Sequence, residues 1–559
     1  MQQEPTERTG EAGAAAGQPA TIPEILAHGV RSFPQRVALR SDGDLPQRSY
    51  TYCQVGALAS ALARELVARG AGEGAQVALL CENRPGWAVA YFAIHLSGSA
   101  CVPIDTKLLP LECRAILERS GARLLLSSRA LLGAAAEAAD GLGGVCVAAV
   151  DDLLDGEAAD SGAGPLPPPG AREVTPEDVA VIAFTSGTTG ASKGVVLTHG
   201  NIASNAVSGA GRMDGTADDH LLSVLPLSHL FEQTGGLLVP LLWGASITYP
   251  GTINPRRLAE AFRQSGTTIA LIVPAMARLF QKLLLALLGG AGPAAEALRD
   301  ERSRGRVRRV LGERFRFFIS GGAALDADVA RFFLDLGVPV LQGYGLSETS
   351  PLVSCNTLDE HVLGSVGRPF PGVEVRVRPV PGRGGDAGEI LVRGPNTMAG
   401  YFEDPRATED AFEDGWFRTG DLGRTDADGF LYVLGRVKDV IVGASGMNVY
   451  PEEVEARIAA CPHVREVCVL GVQPPGAGAQ DEQVAAVVVP DVEALGGEYA
   501  REHDELLRRE LRSACAALAG YKRPKYVVVR LEPLPRTTTM KLKKHEIRKR
   551  LAEATLSRL

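Results

Sequence analysis

Short apolar runs of strand length recur between about residues 50 and 440. They include "QVALLC" (76–81), "DVAVIAF" (178–184), "TIALIVP" (268–274), "FRFFIS" (315–320) and "VPVLQ" (338–342). Between them lie stretches of helical period such as "ALASALARELVARG" (57–70). Strands alternating with helices predict an α/β fold with parallel, doubly wound sheets. In such sheets ligands sit beyond the carboxyl ends of the strands. Three runs end in glycine-bearing turns, "TSGTTG", "SGG" and "GYG", so all three are expected at one site.

The pattern changes after "GFLYVLGRVKD" (429–439). "VYPEEVEARIAACP" reads as a helix with proline near its first turn and acidic residues beside it. "VREVCVLGV" and "VAAVVVP" read as strands of a compact α+β unit. The expected organisation is a disordered tail over 1–20, a large domain over 21–437 and a small carboxyl-terminal domain over 438–559. The Pro/Gly-rich "SGAGPLPPPGARE" (161–173) reads as a surface connection.

Composition narrows the function. With 58 basic and 66 acidic residues the net charge is −8, which argues against a nucleic-acid binder. The nine cysteines include no C-x-x-C pair, which argues against a zinc site or disulfide framework and suits a cytoplasmic location. No apolar run approaches the ~18 residues that span a bilayer.

The densest chemistry lies in "FTSGTTGASKGVVLTHGN" (184–201). Successive N–H groups of a glycine-rich turn make an anion nest. Thr185, Ser186, Thr188 and Thr189 add hydroxyls around Gly187 and Gly190, and Lys193 adds a cation. The usual nucleotide loop closes on Lys-Ser or Lys-Thr, whereas Lys193 is followed by Gly194.

This loop resembles the Ser/Thr-Gly-Thr-Thr-Gly-x-Pro-Lys-Gly signature of adenylate-forming enzymes, with Ser192 where proline is usual. "GYGLSETSP" (343–351) is similar to the family's Tyr-Gly-x-Thr-Glu segment, "WFRTGDLG" (416–423) and "GRVKD" (435–439) to its ribose-binding segments, and "LPRTTTMKLKKHEIRKRL" (534–551) to its ending. The resemblance implies attack of a carboxylate on the α-phosphorus of ATP, giving an acyl-adenylate and pyrophosphate. It places the loop and Lys193 on the β- and γ-phosphates, and Thr185 and Glu348 on magnesium. Tyr344 would lie against the purine, with Gln342 and Gly343 also in the ATP site. Ser347 would meet the α-phosphate, and Arg436 and Asp421, the latter read in a tight glycine-flanked turn, would meet the ribose. Gly321 and Gly322 of "ISGGAAL" (319–325) would stand on the adenine side. Lys541 would bridge the carboxylate oxygen and the α-phosphate.

The resemblance further implies a second half-reaction, in which the acyl group passes to a thiol. The small domain would swing about Lys438 so that Lys541 leaves, and Gly446 would come beside the pantetheine arm of coenzyme A. "LPLSHLFEQTGG" (225–236) is similar to the substrate segment of fatty acyl-CoA synthetases, with His229 bordering the acyl-adenylate. A medium- to long-chain fatty acid is the expected substrate. A carrier-protein pantetheine as acceptor, an aryl or other carboxylate as acid, and a non-catalytic ATP-binding protein are the alternatives. The basic ending from Lys541 to Arg550 reads first as a solvated helix face and leaves peripheral contact with an anionic membrane open.

Overall fold

The computed structural model describes residues 18–42, 48–154, 173–185, 192–251, 255–288, 300–380, 386–442, 448–473, 482–537, 541–552 and 557–559. The 1–20 tail falls almost wholly outside them, as do Ser186, Gly187, Thr188, Thr189, Gly190 and Gly446 and most of the 161–173 connection. The fold is α/β, with a large domain of sheets and helices and a smaller carboxyl-terminal one. Each apolar run named above forms a strand, at 76–80, 179–185, 269–272, 317–320 and 340–344.

Two sheets carry the large domain. In the nine-stranded sheet six parallel strands lie side by side: Val340–Tyr344, Phe317–Ser320, Ile269–Ile272, His220–Leu222, Ser246–Tyr249 and Val37–Ser41. In the seven-stranded sheet Val179–Thr185, Ala100–Ile104, Gln76–Leu80, Leu124–Ser127 and Cys146–Ala149 are parallel. Lys193–Thr198 returns antiparallel to Val179–Thr185, with Thr185 opposite Lys193. The helix Pro85–Leu96 is buried on every side, as its unbroken apolar sequence requires. Trp87 and Tyr91 stack within it at 5.1 Å.

Beyond Tyr344 the pairing becomes antiparallel. Glu374–Pro379, Gly388–Arg393, Trp416–Thr425 and Leu431–Arg436 form a separate meander. The alternation of "EVRVRP" (374–379) suits a strand with one wetted face.

The smaller domain has its own sheet, Val464–Val472, Gln483–Pro490, Tyr526–Val529 and Ser557–Arg558. Successive residues of its second strand feed opposite faces. Val484, Ala486 and Val488 pack with Val454, Ile458, Leu507 and Leu511. Ala485, Val487 and Val489 pack with Leu534, Ile547 and Leu551. Pro451–Ala459 is a helix with proline in its first turn. Lys544, at the start of the helix Lys544–Ala552, reaches Glu452 (3.3 Å), Glu455 (3.5 Å) and Asp439 (3.7 Å).

Candidate active site

The parallel strands bring their carboxyl ends together, and the residues singled out in the sequence follow them. Thr185 closes one strand and Lys193 opens its antiparallel partner. The Lys193 ammonium lies 4.6 Å from the centre of the Tyr401 ring, a favourable place for a cation. Tyr401 is carried there by the two-residue strand Gly400–Tyr401, which pairs with Lys193–Thr198. Its hydroxyl donates to Glu348 Oε1 at 3.1 Å. Burial, and then the Glu348 charge, raise the Tyr401 pKa, so the phenol stays a donor.

Glu348 sits with Ser347 in the short helical turn Ser347–Thr349, after the strand that ends at Tyr344. Its carbonyl receives the Met398 N–H at 2.9 Å, and Asn396 donates to the Thr349 carbonyl at 3.0 Å. The 396–398 segment therefore holds the main chain of the turn that carries the carboxylate.

Asp421 is the second anchor. The Tyr344 hydroxyl donates to its Oδ2 at 2.7 Å, and the Arg436 guanidinium meets its Oδ1 at 2.8 Å. Asp421 lies within the strand Trp416–Thr425, directly opposite Arg436, instead of in the tight turn expected from its glycines. Those glycines shape the strand. Gly420 has φ +68°, and the pairing shifts register after Leu422, which turns the carboxylate out of a regular ladder. Burial raises the Asp421 pKa against the pull of Arg436, the Tyr344 hydrogen bond and Lys541. Burial also opposes the Arg436 charge, and Asp421, Tyr344, Glu348 and Asp439 more than offset it.

Lys541 comes from the other domain and faces these groups. Its backbone N–H donates to Thr537 Oγ1 at 3.1 Å, and the Thr537 N–H donates back to the Lys541 carbonyl at 2.8 Å. The residue is exposed, and desolvation of its ammonium lowers its pKa. Asp421 and Glu348 push that pKa up, and Arg436 pushes it down. Lys541, Glu348, Asp421 and Arg436 thus share one electrostatic neighbourhood across two domains.

The remaining expected residues fall around this centre. Gln342 and Gly343 lie in the strand leading to Tyr344. Gly321 and Gly322 follow the neighbouring strand. A Cβ on Gly321 would come 3.1 Å from the Phe231 ring, so this glycine stands against the expected acid segment. His229 bonds through Nε2 to Asp105 Oδ2 at 3.0 Å. Lys438 is exposed in the turn after Leu431–Arg436. Asp105 carries no signature of its own, and both Asp105 and Tyr401 were missed in the sequence. "NTMAGYF" (396–402) is the stretch that held the Tyr401 signal.

The donor set fits magnesium. A hard cation of that size takes one or two carboxylates together with substrate phosphates. Tyr401 occupies one lone pair of Glu348, and among the described residues the Thr185 hydroxyl makes a 3.4 Å contact to the Lys193 carbonyl.

Comparison with known proteins matches this geometry to a family. The model of the AMP-binding enzyme matches residues 26–402, and that of the AMP-binding enzyme C-terminal domain matches 453–541. The chain belongs to the AMP-binding enzyme family. It is an adenylate-forming enzyme. It is 34% identical over 530 residues to the feruloyl-CoA synthase of an Amycolatopsis species, covering 93% of this chain and 97% of that protein. It is 33% identical over 511 residues to the long-chain-fatty-acid–CoA ligase FadD13 of Mycobacterium tuberculosis, covering 89% and 92%. The crystal structure of ATP-bound MatB from Rhodopseudomonas palustris superimposes with a TM-score of 0.77 at 29% identity, covering 94% of this chain and 98% of that one. Among the described residues no helix is long and apolar enough to cross a membrane.

Proposed function

We propose that this protein is an ATP-dependent acid–CoA ligase that works through an acyl-adenylate. The observation that carries the reading is the linked set of Tyr344, Asp421 and Arg436 together with Glu348, Tyr401 and Lys193. A carboxylate and a triphosphate repel each other, so joining them needs cations held in place more than it needs a protein nucleophile. Lys541 offsets charge between the acid and the α-phosphate. Lys193, steadied by the Tyr401 ring, does so at the outer phosphates. Tyr344, Asp421 and Arg436 form one bonded unit whose carboxylate, an acceptor only, suits ribose hydroxyls. Thr185 and Glu348 would hold magnesium, which when bound supplies charge neutralisation at the phosphates. The boundary near residue 438 and the hinge at Lys438 belong to the same proposal, because Lys541 must withdraw before a thiol can approach the carbonyl.

For the acid, the reading favours a ring-bearing carboxylate with an oxygen substituent. Glu232 and Gln233, in the expected substrate segment, are fully enclosed. Glu232 Oε2 and both amide atoms of Gln233 make no hydrogen bond among the described residues. A saturated alkyl tail leaves such atoms unpaired, at a cost in affinity, whereas an oxygenated ring can pair them. The similarity to feruloyl-CoA synthase supports this. A medium- or long-chain fatty acid is the second reading, supported by the similarity to FadD13 and by the apolar residues around Phe231. The test is thioester formation from ATP and CoA across hydroxylated aryl acids, unsubstituted aryl acids and saturated fatty acids. The reading expects the oxygenated aryl acids to lead in kcat/KM by about tenfold or more. Fatty acids leading by that margin would replace it with the second reading.

A further inference from the structure

The junction between the two domains is tied on both sides, to different partners. On the side of the large domain, the Val437 N–H donates to the Gly420 carbonyl at 2.9 Å. Gly420 directly precedes Asp421, which also holds the Arg436 guanidinium. On the other side, Asp439 Oδ2 lies 3.7 Å from the Lys544 ammonium of the small domain. Lys438 stands between these anchors and is exposed. One local bond spans it, from the Asp439 N–H to the Arg436 carbonyl at 3.1 Å.

Lys544 is itself held firmly. It begins the helix Lys544–Ala552, whose Ile547 and Leu551 pack with Leu534 against the small sheet. Besides Asp439, its ammonium meets Glu452 at 3.3 Å and Glu455 at 3.5 Å. Glu455 is fixed in turn by the Val469 N–H, which donates to it at 2.8 Å. The Lys544 side chain is only 18% exposed, so salt screens these attractions less than at an open surface. The three carboxylates outweigh burial and raise the Lys544 pKa, which keeps it a cation. Without that charge the carboxylates would face and repel one another. Lys544 also follows the hairpin that presents Lys541. The Lys543 N–H closes that hairpin on the Pro535 carbonyl at 2.9 Å, and Thr537 and Lys541 are bonded across it.

We propose that Lys544 is a positioning residue that confines the domain rotation to Lys438. The inference rests on the reading that the small domain swings about Lys438 between adenylation and transfer. Val437 stays with the large domain through Gly420. Asp439 travels with the small domain through Lys544. The change in φ and ψ then falls on Lys438 alone, where hinges commonly spread over a few residues. Because Lys544 also roots the hairpin that carries Lys541, that lysine and the far side of the hinge turn as one body.

The test uses the full-length chain and a proline that fixes φ at the hinge. Adenylation is followed by pyrophosphate exchange, and transfer by mixing purified acyl-adenylate with CoA in a single turnover. Lys438→Pro is expected to change the ratio of the two rates by about a hundredfold, since one orientation becomes strained. In a Lys544→Met background the same proline should change that ratio by about tenfold or less, because a released Asp439 shares the rotation. Lys544→Arg keeps the charge and should keep the hundredfold effect. Asp439→Asn should act like Lys544→Met, and it replaces that variant if Lys544→Met does not fold. A proline effect equal within about threefold in every background overturns the proposal and leaves the hinge reading standing. A proline that leaves the wild-type ratio within about threefold overturns the hinge at Lys438 and this inference with it.

Discussion

The Tyr401 hydroxyl donates to Glu348 at 3.1 Å while the Tyr401 ring supports the Lys193 ammonium at 4.6 Å. One side chain thus couples the proposed phosphate cation to the proposed metal carboxylate. Tyr401→Phe keeps the ring and removes the donor. It is expected to raise the magnesium concentration needed for half-maximal adenylation about tenfold or more and to leave the KM for the acid within about twofold, since a lost hydrogen bond to a charged group is worth ~1.5–3 kcal/mol. An unchanged magnesium dependence would separate Tyr401 from that carboxylate.

Lys541→Ala removes the cation that Asp421 and Glu348 face. Adenylation should fall by about two to three decades, the size of losing one charge-assisted contact in a desolvated site. Transfer from preformed adenylate should fall far less. Equal losses in both half-reactions would contradict a role confined to the first.

Gly321 discriminates between two assignments. The sequence placed it beside adenine, whereas the fold sets it against Phe231 of the acid segment, with room for a Cβ only if that ring shifts. Gly321→Ala is therefore expected to raise the KM for bulky acids about tenfold and to leave the KM for ATP within about twofold, because overpacking by a methyl costs ~1–3 kcal/mol. The reverse pattern would return Gly321 to the nucleotide.

Acid sensitivity follows from buried histidines. Burial lowers His95 well below its ordinary range, and it lowers His199 and His220 to about 4. Since these folded values lie below the unfolded value of about 6.5, their stability contribution is complete above that pH and is lost as pH falls toward 4. A shift of this size corresponds to on the order of 3 kcal/mol for each of His199 and His220. Denaturant titrations between about pH 7 and pH 4 should show this decline, and His199→Asn should flatten part of it. A level stability from about pH 6.5 to pH 4.5 would refute the assignment.

Glu232 acts from the alkaline side. Burial raises it to about 8, so its contribution is complete near its unfolded value of about 4.5 and is lost as pH rises through 8. Glu232→Gln should be more stable than wild type at about pH 9, with the advantage shrinking towards about pH 5. An advantage independent of pH would assign the effect to packing against Gly236, whose Cβ position the carboxyl fills.

What the sequence made legible was local. Strand runs bounded by glycine turns located five parallel strands, and Asp421 and Arg436, read from separate segments, proved directly paired. Contacts set by topology were hidden. Tyr401 reaches Glu348 across 53 residues, and Asp105 reaches His229 across 124, because two sheets place their carboxyl ends together. No local period encodes such meetings. The turn expected at Asp421 became a bulged strand because its neighbours Gly388–Arg393 and Leu431–Arg436 offered ladder bonds on both sides. The antiparallel meander after residue 374 was likewise invisible to a rule built on strand–helix alternation.

The central claim is that the acid attacks the α-phosphorus of ATP and that the acyl group then moves to CoA. The most direct measurement supplies the accepted acid with both carboxylate oxygens replaced by the heavy isotope, together with ATP and CoA, and weighs the products. The account predicts AMP carrying one heavy oxygen, unlabelled pyrophosphate and a thioester retaining the other. Heavy oxygen in inorganic phosphate, with ADP as the nucleotide product, would contradict it.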